Sequence, residues 1–363
     1  MFETTREGMR IASLPRATPS VVWLALYIDA GSRDAVLPET ATLSARLAAE
    51  RVGAGAAATV FPDVTELSLS CQASELKLCV QRLASGLTTR DPDAAALATA
   101  RSRLRDDQRR ALAAEPDSEL DALAVEALLG DQSRSFFPLG RVDSDLVAAS
   151  KAVPDFLSHH YGPERALLVA AGDIGPNALM DLATSAFEGS PRALEARSER
   201  ELVPAARAKL AVSFDAKSAA TLALAGADES SLRDATQTLT AVLAQIEPKT
   251  FVKGHVFAAR SGALAVLRLR GTDSELALRE ATRALARMQH EPQRATPPVA
   301  KPDDLRSSAR ELGLAFGAEG VAGPRMLSFG AALALAAEPD GGPADMKRQT
   351  EREQARREHA QHQ

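Results

Sequence analysis

The apolar run VVWLALYIDA, residues 21–30, decides what the first part of this chain forms. Its β-branched and aromatic residues predict a strand that Gly31 ends, and residues 10–14 predict a second strand. We expect these two strands to form a β-hairpin or an adjacent pair. Apolar and polar residues alternate over 65–71, and this period of two predicts a strand with one buried face.

A helix is predicted between these strands. Leu43, Leu47 and Val52 recur at helical spacing, so we expect a helix over 39–52 that Gly53 terminates. Further helices fill the middle of the chain. A buried strand is predicted at Ala166–Gly172 and a helix after it, because Pro176 favours a first helical turn.

From residue 209 the pattern partly repeats, which predicts a second unit of mixed strands and helices. No closing strand is expected there. The predicted strands lie at 209–214, 219–224, 254–259 and 263–269, and the predicted helices lie at 231–246, 274–288, 305–316 and 326–337.

Composition excludes several function classes. The formal net charge is -5, which argues against a nucleic-acid partner because phosphate binding needs a basic face. No window approaches the roughly 20 apolar residues of a membrane span. Because the acidic amino terminus is unlike a signal peptide, we expect a cytoplasmic protein unless the start site is misassigned. The two cysteines, Cys71 and Cys79, fit buried thiols in a reducing compartment.

Short motifs follow one another in a set order over about residues 7–190. They are GMRI at 8–11, AGSRD at 30–34, DVT at 63–65, HYGP at 160–163 and AGDI at 171–174. In this order the chain resembles the insulinase-type zinc peptidases, the family of pitrilysin and the mitochondrial processing peptidase. The resemblance implies an α+β fold of two insulinase-type domains. Each is a mostly antiparallel sheet packed with helices, and the second is shortened.

This resemblance divides the chain into four parts. Residues 1–190 form the N-terminal domain with a degenerate active-site helix, and residues 191–207 form a polar linker. Residues 208–340 form the reduced C-terminal domain, and residues 341–363 form a polar tail.

The family's chemistry rests on H-x-x-E-H, in which two histidines bind zinc and the glutamate activates a metal-bound water. An ungapped count from Ala30 places Ser44 and Ala48 at the positions of the two histidine ligands and Leu47 at the position of the glutamate base. The third ligand position falls on Gln108 or its neighbour Asp107. These side chains do not supply the zinc site, so we expect no bound metal, no other cofactor and no metallopeptidase activity.

In the family, an edge strand pairs with the backbone of a substrate. The resemblance places that peptide-binding strand at Ala57, Ala58, Thr59, Val60 and Phe61, which keeps an alanine of the family pattern and loses its asparagine. Strand pairing depends on the backbone and tolerates this loss. The second domain's substrate-contacting arginine and tyrosine correspond to Thr250 and Phe257.

The resemblance implies a non-catalytic subunit that supplies a substrate chamber or regulates a zinc peptidase complex. Its expected partners are a catalytic insulinase-type homologue, as a heterodimer, or a second copy as a homodimer, together with a peptide or unfolded polypeptide. No nucleic acid or membrane partner is expected. The alternative is a stand-alone peptide-binding or scaffold protein. The glycine run at Gly317, Gly320 and Gly323 fits either a substrate-holding loop or a turn between helices.

Overall fold

The computed structural model describes thirteen ranges of the chain. They are residues 3–5, 7–15, 20–88, 90–115, 118–194, 209–211, 219–226, 232–233, 236–237, 239–241, 251–259, 262–270 and 330–335. The helices predicted at 274–288 and 305–316, Thr250, the glycine run at 317–323 and the polar tail lie outside them. Residues 195–207, which are most of the predicted linker, also lie outside them.

Eleven strands are assigned within these ranges. They are β1 (Glu3–Thr4), β2 (Arg10–Pro15), β3 (Val21–Ile28), β4 (Ala57–Val60), β5 (Thr65–Gln72), β6 (Ala166–Gly172), β7 (Lys209–Ala211), β8 (Ala219–Gly226), β9 (Phe251–Ala259), β10 (Gly262–Arg270) and β11 (Gly330–Leu335).

Seven α-helices are bounded within the same ranges. They are α1 (Pro38–Val52), α2 (Leu76–Thr88), α3 (Ala94–Ala114), α4 (Ser118–Leu129), α5 (Leu146–Lys151), α6 (Val153–His160) and α7 (Pro176–Phe187). Local signals set their ends: Pro38 opens α1, the Asp93 carboxylate accepts from Ala96 N–H at the start of α3, and Gly53 ends α1 with φ 95°. None of the helices in these ranges is long and apolar enough to cross a membrane.

The first sheet has the strand order β1-β2-β6-β3-β5-β4. The predicted pairing of β2 with β3 is wrong, because β6 lies between them, parallel to β2 and antiparallel to β3. β6 is buried at every residue. A strand without polar side chains is placed best at the centre of a sheet, where both of its faces are covered.

The second sheet repeats this arrangement in the order β7-β11-β8-β10-β9. β11 occupies the position that β6 has in the first sheet. It lies between β7, to which it is parallel, and β8, to which it is antiparallel. The helix predicted at 326–337 is therefore wrong over Gly330–Leu335, and so is the expected lack of a closing strand. Residues 331–335 are all alanine or leucine, and a short apolar run of this kind fits a strand as well as a helix. The predicted α+β class with mostly antiparallel sheets is confirmed.

One face of the first sheet carries the main core. α1, α2 and α7 pack there, and the apolar residues of β3, β5 and β6 meet theirs. The prediction that β5 has only one buried face is wrong, because Glu66 and Ser68 on its other face are each 1% exposed. The Ser68 hydroxyl donates to the Glu66 carboxylate at 3.1 Å, which supplies part of the hydrogen bonding that burial requires.

α4 connects the two sheets. In the chain it lies between α2 and α7, which pack on the first sheet, yet it packs against β8 and β11 of the second sheet. Arg268 on β10 donates to Asp121 at 2.7 Å and to Glu115 at 2.8 Å, and it is 12% exposed. Because Arg268 and Asp121 are largely buried, their pairing fixes how α4 sits on the second sheet.

The expectation of two reduced thiols is wrong. Cys71 at the end of β5 and Cys79 in α2 form a disulfide, with their Cα atoms 6.4 Å apart and both side chains 3% exposed. They lie eight positions apart in the sequence. Sequence spacing alone did not show the pairing, because it depends on α2 folding back over β5.

Replacing both cysteines by alanine is expected to lower the free energy of unfolding by about 2–3 kcal/mol. A disulfide that closes a loop of this size restricts the unfolded chain, and the variant regains that conformational entropy on unfolding. Urea denaturation with and without reductant measures it, and reductant should leave the double variant unaffected. Chain taken from its native cells should show no thiol that reacts with maleimide after denaturation. Full labelling of both cysteines would contradict the bond.

Candidate functional site

A groove of about 870 Å³ lies between α1 and the edge strand β4. The α1 residues that line it are Thr42, Ala45, Arg46, Ala49 and Glu50, which recur at helical spacing and therefore share one face of the helix. Five of its other lining residues are Gly53 and Gly55 after α1, Arg103 of α3, and Pro138 and Leu139.

β4 forms the opposite wall, and within the described ranges it pairs only with β5. Phe61 N–H donates to the Val64 carbonyl at 2.8 Å, which marks a hydrogen-bonded pair at the turn. Such pairs alternate with non-bonded ones in an antiparallel ladder, so the backbone groups of Ala58 and Val60 point away from β5. Of the five predicted edge residues, four lie in β4 and line the groove, while Phe61 begins the turn.

The AGSRD motif holds the β4–β5 hairpin in place. Ser32 N–H donates to the Phe61 carbonyl at 3.0 Å and Arg33 N–H donates to the Pro62 carbonyl at 2.8 Å. A Cβ atom on Gly31 would overlap these two carbonyl groups, so the backbones approach this closely only with glycine there.

The DVT motif completes the same contact. The Arg33 guanidinium pairs with Asp63 at 3.1 Å, and the Thr65 hydroxyl donates to the Ala30 carbonyl at 2.7 Å. Two motifs that lie about thirty residues apart in the sequence therefore form one structural unit. That unit sets the position of the edge strand.

Asp34 closes the AGSRD loop on itself by accepting from Gly31 N–H at 2.8 Å. The pKa of its carboxyl is raised to about 6, mainly by burial; the charges of Asp63 and Asp29 add to this rise, and the Gly31 N–H and Arg165 oppose it. Asp34 is therefore a titrating group inside the unit that positions β4.

The residues that the ungapped count placed at the zinc ligands do not face the groove. Ser44 and Ala48 are 0% exposed and Leu47 is 5% exposed, and none of the three lines the groove. Leu47 and Ala48 pack in the main core with Leu104 of α3. The groove face of α1 offers the same i, i+3, i+4 spacing at Thr42, Ala45 and Arg46, and these residues also lack the ligands and the base.

Gln108, at the third ligand position, is 2% exposed, and both ends of its amide form hydrogen bonds. Its Nε2 donates to the Leu139 carbonyl at 2.7 Å, and its Oε1 accepts from Arg105 at 3.2 Å. Gln108 therefore holds the segment around Leu139, which forms one end of the groove. A carboxylate at this position would lack the N–H that Leu139 requires.

Ion pairs occupy the groove face of α1. Arg46 pairs with Asp107, which also pairs with Arg110, while Arg103 pairs with Glu50. Burial alone would raise the pKa of Asp107, but the hydrogen bonds and charges of Arg46 and Arg110 hold it below its usual value. Sequence reasoning proposed Asp107 as a ligand position and missed its arginine partners. The i, i+3 spacing of Asp107 and Arg110 was a sequence signal for Arg110, whereas Arg46 lies on a different helix and had no such signal.

No group of three or more histidine, cysteine, aspartate or glutamate side chains is placed to hold a metal ion within the thirteen described ranges. Tyr161 of the HYGP motif is fully buried in the main core. His160 of the same motif contacts Arg165 at 2.9 Å. This motif therefore has a packing role.

No protein-family model and no curated protein sequence matches the chain. Solved structures do match. The inactive domain of an M16 peptidase from Pseudomonas fluorescens superposes with TM-score 0.68 and 14% identity, over 94% of this chain and 99% of that one. A protease from Helicobacter pylori superposes with TM-score 0.64 and 16% identity, over 80% of each chain. A chain of complex III2 from Candida albicans, a complex bound to Inz-5, superposes with TM-score 0.63 and 12% identity. The match covers 89% of this chain and 87% of that one.

These likenesses define the class by its fold. The chain has the fold of the M16 peptidases, the insulinase-type proteins that the sequence motifs resemble. That part of the prediction is confirmed. One of these neighbours is described as an inactive domain and another belongs to a multi-subunit complex.

Gln108→Glu is expected to lower the free energy of unfolding by about 2–4 kcal/mol at pH 7, since the buried carboxylate faces the Leu139 carbonyl without a hydrogen to donate. Gln81→Glu on the exposed part of α2 is the matched control and should cost under about 0.5 kcal/mol. Urea denaturation measures both. Equal stability of the two variants would show that the Gln108 amide is not needed.

Asp34→Asn is expected to change the pH dependence of stability. The folded pKa of Asp34 is about 6 and the unfolded value is about 3.9, so the native state holds this proton more tightly. Wild-type stability should therefore fall by about 2 kcal/mol relative to the variant as pH rises from about 4 to above 6, and stay level beyond. Unfolding of both proteins across this range measures it, and parallel curves would refute the raised pKa.

Proposed function

We propose that this chain is a non-catalytic M16 homologue that supplies one wall of a peptide-binding chamber to a catalytic homologue. The observation that carries the proposal is the groove itself. Among the described residues its strand edge pairs only with β5, which leaves the other side for a peptide, while the helix face opposite holds ion pairs where the family's chemistry needs a metal centre.

Hydrolysis by the family mechanism requires two histidines and a glutamate on α1. Neither possible register, Ser44–Leu47–Ala48 in the core or Thr42–Ala45–Arg46 at the groove, provides a zinc ligand or a base. Loss of one member of a catalytic unit already reduces the rate by orders of magnitude. The chain therefore contributes binding and shape, and a partner contributes the chemistry.

The open edge of β4 supports peptide binding. Outward N–H and C=O groups at Ala58 and Val60 give a peptide in extended conformation the backbone hydrogen bonds of an added strand. The alanine side chains on both walls leave room for the peptide's own side chains. Held in this way next to a partner's metal centre, a peptide loses much of the freedom that opposes reaction.

The compartment is a further part of the proposal. The Cys71–Cys79 disulfide favours folding in an oxidising compartment, because thiols in the cytosol are kept reduced. This favours export over the cytoplasmic expectation. The partner is accordingly sought among H-x-x-E-H homologues that carry an export signal.

Mixing the purified chain with the best H-x-x-E-H homologue from the same genome is expected to give a complex by size-exclusion chromatography and to raise peptide cleavage by about 10-fold over the homologue alone. The chain by itself should show no cleavage and, after dialysis, no stoichiometric zinc by elemental analysis.

The matched variant is Ala58→Pro, which removes one outward N–H from the strand edge. It should still form the complex and lose the rate increase. A chain that binds one zinc or cleaves peptides alone would overturn the non-catalytic assignment. A chain that binds peptides but never associates with a homologue would favour the stand-alone binding protein.

A further inference from the structure

Guanidinium groups outnumber carboxylates around the groove. Arg46 and Arg103 line it, and Arg110 joins Arg46 through their shared partner Asp107. Among the residues that the structure describes, Glu50 and Asp107 are the carboxylates that pair with these three arginines. The groove wall therefore carries one positive charge in excess, on a chain whose overall formal charge is -5.

The two groove arginines also keep most of their hydrogen-bond donors. Arg46 donates through Nη2 to Asp107, and Arg103 donates through Nη1 to Glu50, and neither contacts another acceptor within the described part of the chain. Each guanidinium has five N–H donors. The side chains are 24% and 60% exposed, so the remaining donors face the groove and solvent.

Within the described part of the chain, the only other ionic side chain that lines the groove is Glu50, the partner of Arg103. Ala45 and Ala49 lie beside Arg46 on the same helix face, and Ala57 and Ala58 lie on the strand opposite. Small side chains leave the guanidinium groups as the main source of specificity for anything that lies along β4. The planar guanidinium fork matches a carboxylate better than other peptide groups.

We propose that the groove selects peptides that place a carboxylate at Arg46 and Arg103. This inference rests on the proposed function, because it names the substrate class of the same groove. The carboxylate comes either from an aspartate or glutamate side chain of the extended peptide or from its carboxyl terminus. In both cases the backbone pairs with β4 while the carboxylate takes the free donors.

Fluorescence anisotropy with the full chain and labelled decapeptides tests the proposal. One set carries a central Glu-Asp pair with an amidated end, a second set replaces the pair by Gln-Asn, and a third set keeps Gln-Asn with a free carboxyl terminus. The acidic or the free-carboxyl set should bind about 10-fold more tightly than the neutral set, and the difference should shrink in 0.5 M salt. The set that binds more tightly than the neutral set identifies the source of the carboxylate.

The variants Arg46→Gln and Arg103→Gln should remove this preference, so that each variant binds acidic and neutral peptides with equal affinity. Arg109→Gln is the matched control, because Arg109 lies on the same helix as Arg103, is 67% exposed and does not line the groove. Melting temperatures of all three variants show whether the fold is intact. Arg103→Glu should reverse the preference toward peptides with a central Lys-Arg pair.

The outcomes separate the two proposals. If neutral and acidic peptides bind equally, and Ala58→Pro weakens both, the groove binds peptides and the carboxylate selection is wrong. If no peptide binds the wild-type chain, both the peptide-binding function and the carboxylate selection are overturned.

Discussion

The close contact between the AGSRD loop and the β4–β5 hairpin positions the rest of the site. Gly31 lets two backbones approach so closely that no side chain fits between them, and the Ser32 and Arg33 N–H groups use that approach to bind the hairpin's carbonyls. The loop then leads directly into α1. The strand wall and the helix wall of the groove are thus fixed from a single point, and the groove's width follows from the backbone.

α1 divides its two faces between stability and binding. The core face carries Leu47 and Ala48, and the groove face carries Arg46 and Glu50. A helix that carries zinc ligands must bring polar groups to a buried metal, which is costly unless the metal is bound. With alanine and leucine in the core and ion pairs toward the groove, this helix is stable without an ion, and its groove face is available for another role.

Local signals in the sequence predicted most single elements of the first sheet. Proline, glycine and the Asp93 cap set the helix ends, and the apolar content of β6 predicted a buried strand. Strand order was beyond such signals, because insertion of β6 between β2 and β3 depends on contacts made across more than a hundred residues. The Cys71–Cys79 bond and the second buried face of β5 were missed because they depend on tertiary packing, of α2 over β5 and around Glu66.

The candidate site was predictable in part. The edge strand followed from the resemblance, and four of its five residues line the groove. The orientation of α1 did not follow, because counting from Ala30 fixes a position along the helix and leaves open which face turns toward β4. Arg46 illustrates the difference: in the sequence it is one more charge on a helix, and only packing against α3 places it beside Asp107.

The two sheets share one feature of connectivity that bears on how the protein is made. In each, an interior strand comes last in the chain: β6 enters between β2 and β3, and β11 enters between β7 and β8. A ribosome that has released only residues 1–160 has therefore produced two strand groups with exposed inner edges, and the same holds for the second sheet until residue 335 emerges. Such edges invite pairing with other chains. The nascent chain thus passes through two intervals in which these inner strand edges are unpaired, and each interval ends when an interior strand is inserted.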